Sequence, residues 1–470
     1  MKPLYFTLSI VLALFTFNFA NAGEKSLWAT MLTGGSGGFG VIYKVNPDGT
    51  NGSVAVIFEG LNGANPSGNM VEGPGGKLFG TTTAGGVHGY GVLFSYDPNS
   101  NAYLVLHNFD SVAGWSPRDL LLANDGLIYG TTQAGGLYTS ATALQGSGVM
   151  YSYDPTSGVF TKLIDFNGTN GENPQGLMQA NNNTLYGMAR QGGANNAGVL
   201  YSYTIGGAFT KLLDFNTTGN GALPTNCKLI QANDNKLYGM TTWGGVNNMG
   251  TLFSYDISRP AYAKLFDFNG LTGSYPSSSL LQANNGVLYG VSLYGGTNDD
   301  GVIFKYNIVT TAYANLYDFN GTDGAVPFGS LIQGTDNLLY GMTTQGGSNG
   351  TGVIYDYDIN TDNYSIVSNC DGSSAGGTPM SNLLELTGPT GIASVNRQQI
   401  SLYPNPTTNQ IVIQSGDFNP ELVTIYDLNG QCINQAKFVN HVDVSSLSTG
   451  VYFVEIKKGS DILRAKLVKE

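Results

Sequence analysis

The sequence predicts an all-β chain in which seven blades close into a β-propeller that is followed by a small β-sandwich. One motif recurs along most of the chain with a period of roughly 50 residues. The runs between its turns are rich in β-branched and aromatic residues, and no stretch has a sustained helical period. The motif stops after residue 386, where a different alternating pattern begins.

The recurring unit is clearest at residues 338–358, which read LLYGMTTQGGSNGTGVIYDYD. A hydrophobic run ends in Tyr340-Gly341, the glycine pair Gly346-Gly347 follows, and a second hydrophobic run ends at Asp358. The same order of residues begins at Leu27 (a degenerate copy), Leu78, Ile128, Leu185, Leu237 and Leu288. Such a period indicates a repeat architecture.

Each repeat divides into four short runs with strand character. In the clearest copy these runs are Ser330–Gln333, Leu338–Thr343, Val353–Tyr357 and Asn363–Val367. Turns rich in Asn, Asp and Gly separate them, as hairpins require. Four strands in a repeat of this length are typical of a propeller blade.

The two ends of the repeat region complement each other. The first copy has three strands, Leu27–Met31, Val41–Val45 and Val54–Phe58, and lacks the strand that should precede them. The region ends in a leftover strand, Ser381–Leu386. If this strand completes the first blade, the ring closes at seven blades and no sheet edge is left unpaired.

The N-terminus predicts a secretory signal peptide. Lys2 precedes an apolar run, and Ala20-Asn21-Ala22 supplies a cleavage pattern of small residues. No other apolar stretch reaches the length of a membrane span, so we expect no transmembrane segment in the mature chain. The expected domains are the signal peptide (1–22), the propeller (23–386), a linker (387–399) and the C-terminal domain (400–470), in a monomer.

Composition argues against several classes of function. Charged residues make up 11% of the chain and its net charge is −12, which disfavours a nucleic-acid partner and an anionic membrane surface. The three cysteines, Cys227, Cys370 and Cys432, cannot form a disulfide framework. With three histidines in the whole chain, a histidine-built metal site is not expected. We therefore expect neither a metal nor a cofactor.

The repeat resembles two known groups of proteins. Its order of strand, double glycine, strand ending in Tyr-Asp and aromatic strand is similar to a kelch blade. The L-Y-G-x-T-x-x-G-G core, the G-V-x-F/Y-x-Y-D run and the x-F-N-G that follows resemble the GloVer-type tandem repeats of secreted bacterial proteins, over Ser26–Leu386. This resemblance implies a kelch-like propeller and transfers no particular activity.

The C-terminal segment predicts a small Ig-like β-sandwich. Its alternating runs are Gln410–Gln414, Leu422–Asp427, Cys432–Lys437, Val451–Lys457 and Ile462–Val468. The blocks Tyr403–Pro406, Ile425–Gly430, Asp443–Val454 and Lys466–Lys469 resemble the type A C-terminal sorting domain of the type IX secretion system.

That resemblance implies an address that the outer-membrane secretion machinery reads and then removes. The cargo would be released or would stay attached to the outer surface of a Gram-negative cell. The residues implied in the sorting signal are Tyr403, Pro404, Asn405, Pro406, Asp427, Gly430, Gly450, Lys466 and Lys469.

Residues that differ between blades are better binding candidates than residues that repeat. The residue before each glycine pair is Thr33, Ala84, Ala134, Gln191, Trp243, Tyr294 or Gln345. In a kelch-like topology the same face of the ring also carries Trp115, Glu172, Asp299, Asp300 and the insertion Leu137–Ser147. Aromatic rings beside Asn and Asp suit the recognition of sugars or peptides. The alternative is that Trp243 and Tyr294 only cover the top of the ring.

The group Asp165-Phe166-Asn167-Gly168 recurs with the same spacing and is predicted to be structural, because catalysis needs one site and not one per blade. Its Asp and Asn should hydrogen-bond their own backbone at the glycine turn. Its aromatic residue should lie in the core between blades, and Cys370 takes the same place in the last copy. Cys227 is expected to be inert.

Three hypotheses for function follow. The favoured one is a non-catalytic secreted or surface-attached binding propeller for glycans or cell-surface components. The second is a carbohydrate-active enzyme that uses Glu172 with Asp299 or Asp300, since glycoside hydrolysis needs two nearby carboxylates. The third is a purely structural or protein-interaction surface.

Overall fold

A computed structural model describes residues 25–138, 146–373, 376–387, 401–403, 405–414, 420–427, 431–458 and 461–470. The expected signal peptide, nearly all of the expected linker and most of the insertion at 137–147 lie outside these residues. The described chain is all-β, with a single 3-10 turn at Pro74–Gly76. Residues 24–388 form one compact unit, and the C-terminal residues from 389 belong to another.

The described residues of the repeat region form seven antiparallel sheets, which we number in chain order. Described strands of the first three are Lys25–Thr33, Val41–Val45, Ser53–Ile57; Val71–Glu72, Leu78–Thr82, Val92–Asp97, Ala102–Asn108; and Trp115–Leu122, Ile128–Ala134, Val149–Tyr153, Phe160–Asp165. Those of the fourth to sixth are Glu172–Gln179, Thr184–Gln191, Val199–Thr204, Phe209–Asp214; Ile230–Gln231, Leu237–Thr241, Thr251–Asp256, Ala261–Asp267; and Leu281–Gln282, Leu288–Ser292, Val302–Tyr306, Tyr313–Asp318. The seventh contains Ala325–Pro327, Ile332–Gln333, Leu339–Gln345, Val353–Asp358 and Asn363–Asn369.

The first sheet takes strands from both ends of the repeat region. Leu384–Thr387 pairs with Lys25–Thr33, and Gly377–Pro379 pairs further along the same strand. The predicted pairing between the two ends of the repeat region is therefore present. The predicted bounds Ser381–Leu386 are wrong, because the strands are Gly377–Pro379 and Leu384–Thr387. Between these two pairings, the Ser381 hydroxyl takes the place of backbone hydrogen bonds. The Thr30 N–H donates to Ser381 Oγ, and the Ser381 hydroxyl donates to the Thr30 carbonyl, both at 3.2 Å.

Neighbouring sheets meet at a repeated contact between a glycine and a proline. Gly250 has φ of +101°, and a Cβ built on it would lie 2.6 Å from Cδ of Pro276 in the next sheet. Beside this contact the Tyr275 N–H donates to the Met249 carbonyl at 2.8 Å. Equivalent contacts join Gly40–Pro66, Gly91–Pro117, Gly148–Pro174, Gly198–Pro224, Gly301–Pro327 and Gly352–Pro379. The last of these connects the seventh sheet to the closing strand of the first.

The aromatic residue of the repeated Asp-Phe-Asn-Gly group is buried, as predicted. Its side chains are completely inaccessible to solvent at Phe166, Phe215, Phe268 and Phe319. Cys370, which is 2% exposed, takes the same place in the last copy. Fully burying a side chain of this size contributes roughly 1.5–3 kcal/mol, so the repeat supplies one such anchor at each of these junctions.

The prediction that both polar residues of this group bond their own turn is wrong for the aspartate. Asp165 Oδ1 instead accepts the N–H of Leu137, directly after the glycine pair, at 2.9 Å. A Cβ on Gly136 would lie 2.7 Å from that oxygen, which explains the second glycine of the pair. Asn167 behaves as predicted and accepts the Asn170 N–H at 3.1 Å.

A chain of hydrogen bonds runs round the centre of the unit, and we call it the central polar ring. In each bond a backbone N–H donates to the side chain of a residue about 50 positions away or at the other end of the unit. The bonds run from Lys228 to Ser279, from Ser279 to Ser330, from Ser330 to Asn382, from Asn382 to Asn69 and from Asn69 to Asp119, at 2.6–3.1 Å. The end of the repeat region is thereby tied to its beginning.

The central polar ring is incomplete at Gly176, which has no side chain to accept a bond. The Lys228 ammonium spans this gap and lies 3.8 Å from Asp119 Oδ2. A Cβ on Gly176 would lie 2.5 Å from Cδ of Lys228 and 2.7 Å from Asp119 Oδ2. The glycine therefore leaves room for the lysine side chain.

We expect Gly176→Ser alone to lower the free energy of unfolding by about 1–3 kcal/mol, because its side chain collides with Lys228. Lys228→Ser alone removes a partly exposed ion pair worth up to about 1 kcal/mol. The double variant gives both positions the serine already present at Ser279 and Ser330, and it should recover most of the loss. Urea denaturation of the wild type and the three variants measures the coupling. Strictly additive losses would contradict this account.

Asp356 lies in the seventh sheet beside Asp336 and Asp358. Burial, and then the charges of those two neighbours, raises the pKa of Asp356 to about 6. Because its folded pKa is above its unfolded value, its contribution to stability is fully present below pH of about 4 and is lost as pH rises through about 6. The equivalent residue in four other sheets is serine, at Ser95, Ser152, Ser202 and Ser254.

Asp356→Ser should therefore raise the free energy of unfolding by about 1 kcal/mol at pH 8, after allowance for solvent screening. The gain should disappear near pH 4, where the wild-type carboxyl is already protonated. Thermal or urea unfolding of both proteins from pH 4 to 8 measures the difference. A gain that is equal at both ends of this range would show that packing, and not charge, is responsible.

The described residues of the C-terminal unit form two antiparallel sheets that share one apolar core. One sheet comprises Ser401–Tyr403, Gln410–Gln414 and His441–Asp443, and the other comprises Cys432–Lys437, Leu422–Tyr426, Gly450–Lys458 and Asp461–Lys469. The core includes Ile411, Ile413, Val423, Ile425, Val444, Val454, Ile456 and Leu467. The five predicted strands are present. The three-residue strands Ser401–Tyr403 and His441–Asp443 were not predicted, because three residues are too few to show an alternating pattern.

Candidate functional site

Each sheet of the repeat region carries a cross-strand pair beside its glycine pair, and we call this the glycine-pair end of the sheet. Four of the predicted binding residues lie in such pairs and therefore at the same end of their sheets. The pairs are Trp115–Ala134, Glu172–Gln191, Ala222–Trp243 and Ser274–Tyr294.

Trp243 and Tyr294 are brought together by a third ring, Tyr275. The Trp243 and Tyr275 ring centroids are 4.5 Å apart, and the Tyr275 and Tyr294 centroids are 6.3 Å apart in an edge-on arrangement. Trp243 is 38% exposed and Tyr294 is 40% exposed. These three residues form an aromatic cluster that spans the fifth and sixth sheets and offers ring surface to a ligand.

Sequence reasoning missed Tyr275. Its backbone has φ of +53°, a left-handed conformation that is uncommon for a bulky residue. The residue before the junction proline is left-handed in every sheet, so this conformation belongs to the architecture; the residues are Asn65, Ser116, Asn173, Leu223, Tyr275, Val326 and Thr378. Comparing the blades at the position before this proline would have shown that one copy carries a tyrosine.

Trp115 does not contact the aromatic cluster. It packs edge-on against Tyr90 of the second sheet, with ring centroids 5.0 Å apart, and is half-buried. It thus forms a separate, smaller aromatic pair at the glycine-pair end.

The three candidate acids lie in two sheets that are not neighbours. Glu172 is 2% exposed and belongs to the fourth sheet, whereas Asp299 and Asp300 belong to the sixth. Asp299 Oδ1 accepts the Gly295 N–H at 2.8 Å, a turn-closing bond that Asn248 also makes in the fifth sheet. An amide can therefore replace the Asp299 carboxylate in this role.

The centre of the unit contains a cavity of about 20 Å³, which is the size of one water molecule. Residues from all seven sheets line it, among them Asn69, Arg118, Gln175, Asn226, Ser277, Phe328 and Asn382. A sugar or peptide side chain cannot enter so small a space. This central cavity is therefore not a sugar-binding site.

A larger open cavity of about 420 Å³ lies among hairpin turns of the fourth and fifth sheets. Its carboxylates already accept bonds within their own turns: Asp234 from the Lys236 N–H at 3.1 Å, and Asp256 from the Ser258 N–H at 2.9 Å. Turn formation therefore explains why these aspartates are present, and they need not bind a ligand.

Within the part of the chain that the structure describes, no group of three or more His, Cys, Asp or Glu side chains could hold a metal ion. Among the same residues, no helix has the length and apolar character needed to cross a membrane.

Cys227 and Cys370 are predicted from their burial to be unreactive. Burial raises the pKa of each thiol to about 12, whereas Cys432 is exposed. Because the thiolate is the reacting species, an aromatic disulfide reagent should label one thiol per folded chain and three in urea. Rapid labelling of Cys227 in the folded protein would contradict the structural role assigned to it.

In the C-terminal unit, Asn405 connects two parts of the implied sorting signal. Its side-chain amide donates to the Lys466 carbonyl at 2.7 Å and accepts the Val468 N–H at 2.8 Å. It thereby holds the segment after Tyr403 against the last strand, which also carries Lys469.

The other implied signal residues are placed as follows. Asp427 accepts the Gln431 N–H at 2.8 Å, Gly450 begins the strand Gly450–Lys458, and Pro406 is exposed. Pro404 and Gly430 lie outside the described residues.

Comparison with known families agrees with both parts of this architecture. The chain matches the Gloeobacter/Verrucomicrobia repeat over residues 16–143, 137–337 and 277–392. The chain belongs to this repeat family. Residues 401–470 match the secretion system C-terminal sorting domain. The protein is therefore addressed to the type IX secretion machinery and is secreted or displayed at the cell surface. A comparison with curated proteins gave no match.

Two solved structures share the propeller-like fold at low sequence identity, and a third, TolB, is less similar. A Bacteroides uniformis structure named for 6-phosphogluconolactonase has a TM-score of 0.52 and 11% identity, covering 78% of this chain and 100% of that one. A puromycin-hydrolysing peptidase of Mycobacterium tuberculosis has a TM-score of 0.50 and 12% identity, covering 85% and 60%. TolB of Acinetobacter baumannii has a TM-score of 0.40 and 13% identity, covering 62% and 63%. The chain thus spans less than two thirds of the peptidase and of TolB.

Proposed function

We propose that the protein is an exported binding module whose repeat region is a seven-bladed, kelch-like propeller. The seven sheets support this architecture, because the first of them contains strands from both ends of the repeat region. The central polar ring also supports it. We further propose the domain limits given above: a signal peptide at 1–22, the propeller at 23–386, a linker at 387–399, and an Ig-like sorting domain at 400–470 that is removed after export.

The proposed ligand is a glycan of a cell surface or its surroundings, and the aromatic cluster is the observation that carries this proposal. Three rings from two sheets meet at the glycine-pair end, and two of them are more than a third exposed. Aromatic faces bind the apolar C–H face of a sugar ring, while nearby polar groups bind its hydroxyls. Asp300, which is partly exposed, supplies such a group within the same sheet as Tyr294.

The positions of the three candidate acids favour a binding protein over a glycoside hydrolase. Hydrolysis needs two carboxyl groups about 5–9.5 Å apart on either side of the scissile bond. Glu172 is buried in the fourth sheet, and the fifth sheet lies between it and Asp299 and Asp300 in the sixth. Asp299 is also engaged in its own turn.

The test is a glycan-array and titration assay on the chain without residues 1–22. Trp243→Ala, Tyr275→Ala and Tyr294→Ala should each weaken binding of the same glycan by about tenfold, the equivalent of one aromatic contact. Val309→Ala is the matched control, because Val309 is an apolar side chain that is 87% exposed in a hairpin turn at the other end of its sheet.

Equal binding by the three aromatic variants would remove the aromatic cluster as the site. If the intact protein binds no glycan on the array, the glycan proposal is wrong, and a protein partner or a structural role becomes the better account. Thermal unfolding of every variant distinguishes lost contacts from lost folding.

A further inference from the structure

We propose that the glycan bound at the aromatic cluster is anionic and that Arg190 is the residue that recognises its carboxylate or sulfate. This inference rests on the proposed function, because it names the chemical class of ligand for the same site.

Three lysines near the glycine-pair end are already neutralised. Each lies three residues before an aspartate of its own strand and forms an ion pair with it, at 2.8–3.0 Å: Lys162–Asp165, Lys211–Asp214 and Lys264–Asp267. Arg190 lies two residues before the glycine pair Gly192-Gly193. Among the described residues no carboxylate lies within ion-pair distance of its guanidinium.

The Arg190 side chain is held in place by one hydrogen bond and keeps its other donors. Its Nε donates to Thr225 Oγ1 at 3.2 Å, and the residue is half-buried. No protein acceptor is found for its two terminal nitrogens among the described residues. A guanidinium fixed through Nε presents a planar pair of N–H groups, which is the geometry that binds carboxylates and sulfates.

Arg190 belongs to the fourth sheet, but its hydrogen bond reaches into the fifth, which carries Trp243. The Thr225 N–H donates to Thr242 Oγ1 at 3.1 Å, and Thr242 directly precedes Trp243 in the chain. Two hydrogen bonds thus connect the guanidinium to the residue beside the aromatic cluster. The cation, the rings and the acids Asp299 and Asp300 then lie in order across the fourth, fifth and sixth sheets.

This order of charges would orient an acidic sugar. Its anionic group would bind on the Arg190 side, and its ring would stack on Trp243, away from the carboxylates of the sixth sheet. The net charge of −12 opposes the approach of an anion, but charges beyond about 8 Å are largely screened at physiological ionic strength. The net charge of the whole chain therefore does not by itself prevent an acidic ligand from binding.

The experiment titrates the chain without residues 1–22 with four probes: tetragalacturonate, its carboxyl-reduced counterpart, a sulfated carrageenan oligosaccharide and its desulfated form. We expect one acidic probe to bind at least about tenfold more tightly than its neutral counterpart, the value of one charge-assisted hydrogen bond. Which acidic probe it is distinguishes a carboxylate from a sulfate ligand.

Arg190→Gln should reduce that preference about tenfold, and Arg190→Lys should recover part of it, because a lysine keeps the charge but not the planar pair of donors. Arg259→Gln is the matched control: it makes the same charge change in the turn after Asp256, at the other end of the fifth sheet, and should leave the preference unchanged. Thermal unfolding verifies that each variant folds.

The outcomes separate the two proposals. Glycan binding that depends on Trp243 but shows no acidic preference, or a preference that Arg190→Gln leaves intact, overturns the role of Arg190 alone. A loss equal in Arg190→Gln and Arg259→Gln also overturns it, since only net charge would then matter. Failure of all four probes and of the glycan array overturns the glycan site itself.

Discussion

The contact between the glycine of one sheet and the proline of the next is the constraint on which the repeat region depends. At Gly250 and Pro276 the proline ring occupies the space that a side chain on the glycine would fill. The adjacent left-handed residue, Tyr275, turns its N–H to the preceding sheet at 2.8 Å. Because the same contact also joins Gly352 to Pro379, one local rule both spaces the sheets and seats the closing strand.

This architectural strain has a consequence for binding. A left-handed backbone at a non-glycine residue is unfavourable by about 1–3 kcal/mol, and the fold maintains it in every sheet through the neighbouring proline and hydrogen bond. The side chain at that position is then free to vary, from Asn65 to Val326. In the sixth sheet it is Tyr275, which joins two rings that would otherwise stand apart. The fold thus fixes the backbone conformation at the residue before the junction proline, but it does not require a particular side chain there.

The repeat pattern made most of the fold predictable. The strands of the repeat region, its complementary ends, and the buried Phe166 and its equivalents all follow from a motif copied at nearly constant spacing. The sorting domain was recognised separately, from the sequence blocks that follow residue 402. The predictions that were wrong concern side chains that hydrogen-bond to the backbone of another segment. Ser381 interrupts the closing strand through its hydroxyl, and Asp165 bonds a glycine loop 28 residues away instead of its own turn. The aspartate or asparagine recurs at the repeat spacing, but the spacing does not show which N–H its side chain accepts.

Local spacing and residue type were enough to predict the all-β repeat architecture, the export signal and the variable positions such as Trp243 and Tyr294. Which of these positions contact each other depends on the tertiary structure. It brought Tyr275 between Trp243 and Tyr294, left Trp115 with Tyr90, buried Glu172, and directed Arg190 into the neighbouring sheet. These contacts join residues from different repeats, and the angle between neighbouring sheets, which no single repeat encodes, sets them.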